Sequence, residues 1–432
     1  DGVGLIIFDE FHERSINTDL SLMLSLEIQQ VIREDLRLLV MSATLDTGLM
    51  SSYLNDAPVI LCEGRSYPVS VAYQKIDASQ LALYVCRAIR EVMDDEGDIL
   101  VFLPGIADIK RCVSQAETML LEHPQFKCVP LHGSLPLAEQ EKAIALAPEG
   151  TQKIIFTTNI AETSLTIEGI RCVIDSGLER TLSFSPASGM SKLTTTKISK
   201  ASAEQRKGRA GRLSAGKCLR LWSESEHRSL NDFQPEEILN ADLADALLEL
   251  ASAGHSNYDE INWLTAPPKA HFDSTQAVLI NLGLLEKRGT ITALGQQACA
   301  LPVHPRLAKM LLTASGQQER ELACYMAALV SERDIFQRGD SSDLLLRVQV
   351  LLDNGTGSTH KSTVNRHALK TVLKDVRTLQ SLIKHKSSTA QLSGVADVAA
   401  YLLLLAFPER LAKRRSANSN KYQLANGKGV FL

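Results

Sequence analysis

The first half of the chain is predicted to be α/β and the second half helical, and three features of the sequence predict this. First, seven short apolar runs recur with helical stretches between them, at residues 5–8, 36–41, 99–103, 128–131, 154–156, 172–174 and 218–222. That spacing is the pattern of a parallel sheet built from βαβ units. Second, polar or glycine-rich residues follow nearly every run: Asp9-Glu10, Ser42-Ala43-Thr44, Pro104-Gly105, His132-Gly133-Ser134, Thr157-Thr158-Asn159 and Asp175-Ser176-Gly177. Ligands of open α/β sheets sit outside the carboxyl ends of the strands, so this edge is the expected binding surface. Third, from about Ser223 the β signal fades and helical periodicity replaces it.

Composition bounds the possibilities. With 432 residues, 44% hydrophobic and 22% charged, the chain has the make-up of a globular protein with room for about three domains, and disorder is excluded as its theme. A net charge of only -4 means that a polyanion must be held by local basic patches. The eight cysteines form no CxxC pair, and no histidine cluster has ligand spacing, which points to reduced thiols, a cytoplasmic setting and no structural zinc. Residues 398–407 are too few to cross a bilayer and read as a buried helix. Because Asp1 falls just before a core strand and residues 425–432 read as another strand, the chain is expected to be a fragment.

Taken in order, residues 5–8 read as one parallel strand covered on both faces. Residues 15–33 read as a helix, with cap candidates Asn17, Thr18 and Asp19 ahead of Leu20, Leu22, Met23, Leu26 and Ile28. A break follows Thr44, and 55–68 reads as a linker before a new series of strands and helices. Later helices are expected at 243–253, 273–282, 306–312, 319–331 and 368–384. The stretch 285–294, with Gly289 at its turn, reads as a small wing, and 355–361 as a polar loop. No repeats are present.

Two clusters carry chemistry. Asp9 and Glu10 end a strand: an aspartate there can hold Mg²⁺ through water, and a neighbouring glutamate can polarise the water that attacks a γ-phosphate. Acids after a strand also serve as helix caps or solvated turn residues, and both readings stand on this segment alone. The second cluster is Gln205-Arg206-Lys207-Gly208-Arg209-Ala210-Gly211-Arg212. A solvated basic helix is the plain alternative, yet glycine inside one costs about 1 kcal/mol against alanine, and close approach to a phosphate would explain it. Arg209 and Arg212 are three apart and share a helix face, so both can reach a phosphate as charge develops on it.

Asp9-Glu10-Phe11-His12, Ser42-Ala43-Thr44, the run 158–167 (Thr-Asn-Ile-Ala-Glu-Thr-Ser-Leu-Thr-Ile) and the run 205–212 resemble, in order, motifs II, III, V and VI of superfamily 2 helicases of the DEAH/RHA group. The match extends over essentially the whole chain. The resemblance implies an ATP-dependent RNA helicase with Mg²⁺ and ATP at its site and single-stranded nucleic acid, RNA foremost, as partner. It implies tandem RecA-like domains, the first (1–57) incomplete and the second at 68–222, then a winged-helix-like domain at 223–300, a helical, ratchet-like bundle at 301–386 and the start of a further C-terminal region at 387–432.

By the same resemblance Asp9 contacts Mg²⁺, Glu10 activates the attacking water, and His12 links the nucleotide site to the motifs of the second domain. Gln205 orients the water, and Arg209 and Arg212 are arginine fingers. Ser42 and Thr44 couple hydrolysis to strand movement, although a strand-end cap is a credible reading of either alone. Asp175 and Arg206 are expected at the nucleotide, with a turn aspartate the competing reading of Asp175. Thr163, Gly105 and His132 are expected along the nucleic acid, where backbone and hydroxyl groups bind phosphate without reading bases. Residues 179–200 resemble the family's strand-separating hairpin, or else form an ordinary edge hairpin.

The family's phosphate-gripping loop is missing from the sequence. Gly211-Arg212-Leu213-Ser214-Ala215-Gly216-Lys217-Cys218 has its glycine and lysine spacing, but a cysteine replaces the Mg²⁺-binding hydroxyl and a strand is expected where a helix is required. Lys207 also stands where the family has a small residue. The fragment is therefore expected to be inactive by itself. The alternatives are a non-catalytic nucleic-acid or protein-binding module and, last, a metal site of Asp9, Glu10, His12 and Glu13.

Overall fold

The computed structural model describes residues 2–43, 47–62, 64, 67–162, 165–185, 189–336, 341, 343–353, 364–383, 394–417 and 419–431. They form two compact units: Asp1–Ser185 with Met190–Ala241, and Pro186–Gly189 with Asp242–Leu432.

In the first unit β1 (Leu5–Phe8) pairs in parallel with β2 (Arg37–Val40), from Leu5 opposite Arg37 to Phe8 opposite Val40. Between them runs α1 (Ile16–Val31), which buries Leu20, Leu22, Met23 and Leu26. Its cap is Ser15, not Asn17, Thr18 or Asp19: Arg14 turns the chain at φ +48, which leaves Ser15 extended with its Oγ accepting from the Thr18 N–H at 3.2 Å. The expected two-sided cover of β1 is also corrected. Phe8 is buried but Leu5 and Ile7 are 49% and 53% exposed, because among the described residues only one face of this strand pair is covered. Helix α2 (Thr47–Tyr53) follows.

The linker leads into β3 (Val69–Tyr73), a strand the sequence reading missed; it is an edge strand with mostly exposed residues and lacks a solid apolar run. Then come α3 (Leu81–Val92), β4 (Asp98–Phe102), α4 (Ile106–Met119), β5 (Phe126–Leu131), α5 (Leu137–Ile144), β6 (Gln152–Thr157) and β7 (Ile170–Asp175). After these lie β8 (Leu178–Ser185), β9 (Met190–Lys197), α6 (Lys200–Gly208), β10 (Gly216–Arg220) and α7 (Glu224–Arg228). All the expected runs are strands. Six strands form one parallel sheet in the order β3-β10-β7-β4-β6-β5. Its centre is apolar on both faces: Ile99 and Val101 of β4 pack with α3 and α4, while Leu100 and Phe102 pack on the other side with Ala143 of α5, Ala210 and Cys218. Strands β8 and β9 form the expected antiparallel hairpin.

Residues 223–241 group with this unit, not with the helical part where the sequence reading put them. Asn231 and Asp232 carbonyls accept from the first amides of α6, and Glu236 pairs with Arg14.

The second unit contains α8 (Ala244–Ser252), α9 (Lys269–Asn281), α10 (Ala293–Cys299), α11 (Pro305–Thr313), α12 (Gln317–Ser331), α13 (Leu344–Leu352), α14 (Arg366–Leu382) and α15 (Val395–Ala406). The stretches expected as three modules form one unit here. Helix α12 is central: it touches α11, α13, α14 and α15 and buries Leu322, Ala323, Cys324, Met326 and Ala327. The wing is present in outline as an antiparallel bridge between Leu285 and Ile291, turned by Gly289 at φ +83. Helix α15 is only partly buried, since Tyr401 and Leu404 are exposed. Strands β11 (Ala412–Arg414), β12 (Lys421–Leu424) and β13 (Gly429–Phe431) make a small antiparallel sheet. The loop 355–361 lies outside the described residues. Among the described residues no helix is long and apolar enough to cross a membrane.

Candidate nucleotide site

The acidic segment is held by its neighbours. Phe11 is fully buried, meets Phe8 edge-on at 6.3 Å, and donates its N–H to the Met41 carbonyl at 3.0 Å, which ties the turn to the end of β2. On either side of it Glu10 and Arg14 adopt left-handed backbone at φ +49 and φ +48. Each costs roughly 1–2 kcal/mol in a residue with a Cβ, so surrounding contacts must enforce them. Those contacts are visible: Arg14 grips Asp19 at 2.8 and 2.9 Å and reaches Glu236 at 3.4 Å, and the Ile16 N–H donates to Glu237.

The result is that Asp9 is exposed and Glu10 half-buried at the carboxyl end of β1, with Asp9 Oδ1 accepting from the Glu10 N–H at 2.8 Å. His12 stands between two expected site residues. Its Nε2 lies 3.6 Å from Glu10 Oε2, and its Nδ1 lies 3.3 Å from Ser42 Oγ. Glu10, His12 and Ser42 thus form a polar chain from the end of β1 to the end of β2. Thr44 lies outside the described residues.

The arginine segment is built on α6, whose N-cap Ser199 Oγ accepts from Ser202 N–H at 3.1 Å, and on the tight turn at Arg209–Gly211. Arg209 donates Nε to the Glu162 carbonyl at 3.0 Å, adds Nη2 to the same oxygen, and directs Nη1 to the Leu165 carbonyl. Arg212 donates to Thr166 Oγ1 at 3.2 Å. Both arginines therefore lie against one loop. Burial, then the Arg212 charge, pulls the Arg209 pKa down to about 10, opposed by the carboxylates of Glu162 and Glu10. The acidic segment and the start of the arginine segment face one space. Gln205, His12, Glu13, Asn159 and Glu162 line a cavity of about 720 Å³ in this unit.

Two expectations are corrected. Arg206 and Asp175 do not face a nucleotide: both are buried, and Arg206 donates to Asp175 Oδ1 at 3.0 Å and to Glu162 Oε2 at 2.8 Å, 4.9 Å from the Phe102 ring centroid. Burial works against the Arg206 charge, but Asp175, Glu162 and Glu179 outweigh it and keep the guanidinium protonated. The two glycines of the turn also part company. A Cβ on Gly211 would stand 2.7 Å from the Tyr67 carbonyl, so packing requires that glycine, whereas a Cβ on Gly208 would meet nothing within 4 Å.

Along the expected nucleic-acid edge, Gly105 opens α4 and faces Arg180, where a Cβ would come within 2.8 Å of Nε. His132 is buried just after β5, the edge strand at the far side of the sheet from β3, so this arrangement does not offer its side chain to a ligand. Thr163 lies outside the described residues. Sequence reasoning missed Glu162 and Glu179. Glu162 had a signal, being the only charged residue in the run 157–167. Burial raises the Glu179 pKa to about 7 against the pull of Arg206, with Glu162 and Asp175 adding to the rise.

Asp9 and Glu10 are hard oxygen donors at the carboxyl end of β1. Among the described residues no three His, Cys, Asp or Glu side chains converge on a metal position. Mg²⁺ needs no such cage, because it keeps waters and phosphate oxygens around one or two carboxylates.

Residues 83–214 match the helicase conserved C-terminal domain. The chain is 39% identical over its whole length to the ATP-dependent RNA helicase HrpB of Escherichia coli (strain K12), covering 50% of that protein. It is 37% identical over 72% of its length to the ATP-dependent RNA helicase HrpA homolog of Haemophilus influenzae, covering 24% of it. A crystal structure of the Escherichia coli DEAH/RHA helicase HrpB superposes with a TM-score of 0.84 at 37% identity, over all of this chain and 52% of that one. The chain is similar over its whole length to a DEAH/RHA helicase. Its six-stranded parallel sheet with flanking helices is a RecA-like fold, and the chain spans half or less of the length of these curated relatives.

Proposed function

We propose that the chain is part of an ATP-dependent RNA helicase and carries two walls of its ATP site together with part of its nucleic-acid track. The observation that supports this best is the cavity lined both by His12 and Glu13 of the acidic segment and by Gln205 of the arginine segment. Asp9, with Glu10 beside it, fits as a holder of Mg²⁺, which when bound neutralises charge on the phosphates of ATP. Glu10 takes the proton of the attacking water, and Gln205 orients that water. His12 senses the state of Glu10 and passes it to Ser42 and Thr44. Arg209 and Arg212 stabilise the charge that develops on the γ-phosphate, turning to it from the carbonyls and hydroxyl they now hold.

The loop that grips the phosphates is not among these 432 residues. The segment with similar spacing is a strand, its Lys217 paired with Asp95 at 2.7 Å and its Cys218 buried. Hydrolysis is therefore a property of the complete enzyme, and this chain alone turns over no ATP. Thr163, Gly105 and the backbone near His132 track a single strand of RNA through its phosphates. The eight free cysteines support a reducing cytoplasmic setting.

Binding of single-stranded RNA by the complete enzyme, measured at low and high salt with and without ATP, tests this reading. Affinity that falls steeply with salt, ignores base sequence and changes with ATP is expected. Binding indifferent to ATP, with no hydrolysis, would instead mark a non-catalytic binding module.

A further inference from the structure

We infer that Glu162 is the positioning residue of the arginine pair, an inference that rests on the reading of Arg209 as a phosphate-facing group. One residue holds two arginines by different atoms. Its carboxylate Oε2 accepts from Arg206 Nε at 2.8 Å, and its backbone carbonyl accepts from Arg209 Nε at 3.0 Å. Arg206 cannot drift: it is 1% exposed, and Asp175 at the end of β7 holds its other nitrogen at 3.0 Å.

The anchor therefore runs from the end of β7 through Asp175, Arg206 and the Glu162 carboxylate to the Glu162 carbonyl, and from there to Arg209. The same loop accepts Arg209 again at Leu165 and Arg212 at Thr166. Glu162 thus fixes the surface on which both arginines rest. Loss of its charge frees the loop and leaves Arg209 without a defined starting position. Such misplacement acts on the chemical step more than on binding, because Arg209 is needed most where charge develops.

The test compares Glu162→Ala and Glu162→Gln in the complete enzyme, with Asp98→Asn as a control. Asp98 is buried beside Lys153 at the other end of β4, away from the arginines, and its change destabilises the same sheet. Glu162→Ala is expected to lower kcat on the order of tenfold to a hundredfold with KM for ATP nearly unchanged, and Glu162→Gln, which keeps an acceptor for Arg206, to recover part of the loss. Asp98→Asn is expected to lower the melting temperature without lowering kcat. A nucleotide-free measurement accompanies it: by NMR the Arg209 Nε–H of this chain is expected to be protected from solvent exchange, and Glu162→Ala, by freeing the loop, is expected to weaken that protection. Unchanged kcat in Glu162→Ala, or a kcat loss no larger than that of Asp98→Asn, overturns the inference. Absence of hydrolysis by the unmodified complete enzyme would instead refute the functional reading, and the exchange measurement still tests the clamp.

Discussion

Replacing Gly211 with alanine forces a collision that replacing Gly208 does not. The new Cβ at 211 would stand 2.7 Å from both the Tyr67 carbonyl and Val69 Cγ2, and the carbonyl belongs to the backbone that leads into β3. Overpacking of this kind costs about 1–3 kcal/mol. For a unit of this size each kcal/mol lowers the melting temperature by roughly 2–4 °C, so a fall of about 2–12 °C is expected for Gly211→Ala. At Gly208, the last residue of α6, the Cβ finds open space and the backbone is helical, so alanine gains up to about 1 kcal/mol of helix propensity. Thermal unfolding of the two variants, followed by circular dichroism, is the assay. In the complete enzyme Gly208→Ala is also predicted to weaken ATP binding, as the proposed approach of a phosphate to this open space requires. A Gly208→Ala variant that melts lower than the native chain, or a Gly211→Ala variant that melts with it, would refute the reasoning.

Glu179 gives a pH signature. Its pKa is raised by burial from 4.5 to about 7, so its neutral form favours the fold; that contribution is complete below about pH 4.5 and is lost as pH rises through about 7. The melting temperature of Glu179→Gln relative to the native chain should therefore become more favourable from pH 5 to pH 8; a difference independent of pH would count against this. The thiols give a second test: Cys62 and Cys299 are exposed, whereas burial raises Cys112, Cys172 and Cys324 to about 12. A thiol reagent should titrate these two quickly in the native chain and all eight after denaturation, and early reaction of the buried thiols would contradict the packing described.

Much of the fold was legible because βαβ units advertise themselves: the runs around Leu100, Ile155 and Val173 are buried on both faces, so nothing polar interrupts them. Strand β3 was not legible, since an edge strand such as Val69–Tyr73 leaves Ser70, Val71 and Ala72 exposed and carries no solid apolar signal. The grouping of 223–241 with the first unit has a related reason. Residues 223–241 read as helical, but what holds them is long-range: the Arg14–Glu236 pair and the Asn231 and Asp232 carbonyls at the start of α6. At the site, motif spacing singled out Asp9, Glu10, His12, Ser42, Gln205, Arg209 and Arg212 as candidates. It could not separate Arg206 from its neighbours, because four residues of one basic run look alike until Asp175 and Glu162 claim one of them in the interior. Nor could it tell the two glycines apart, since only the approach of Tyr67 distinguishes them.

The central claim is that the acids after β1 and the arginines after α6 are two walls of one ATP site. Turnover and nucleotide binding by the complete enzyme carrying Glu10→Gln test it most directly. RNA-stimulated hydrolysis is expected in the native enzyme and its loss in the variant, with ATP binding retained because the substitution removes only the proton acceptor. Hydrolysis at the native rate in Glu10→Gln would contradict it.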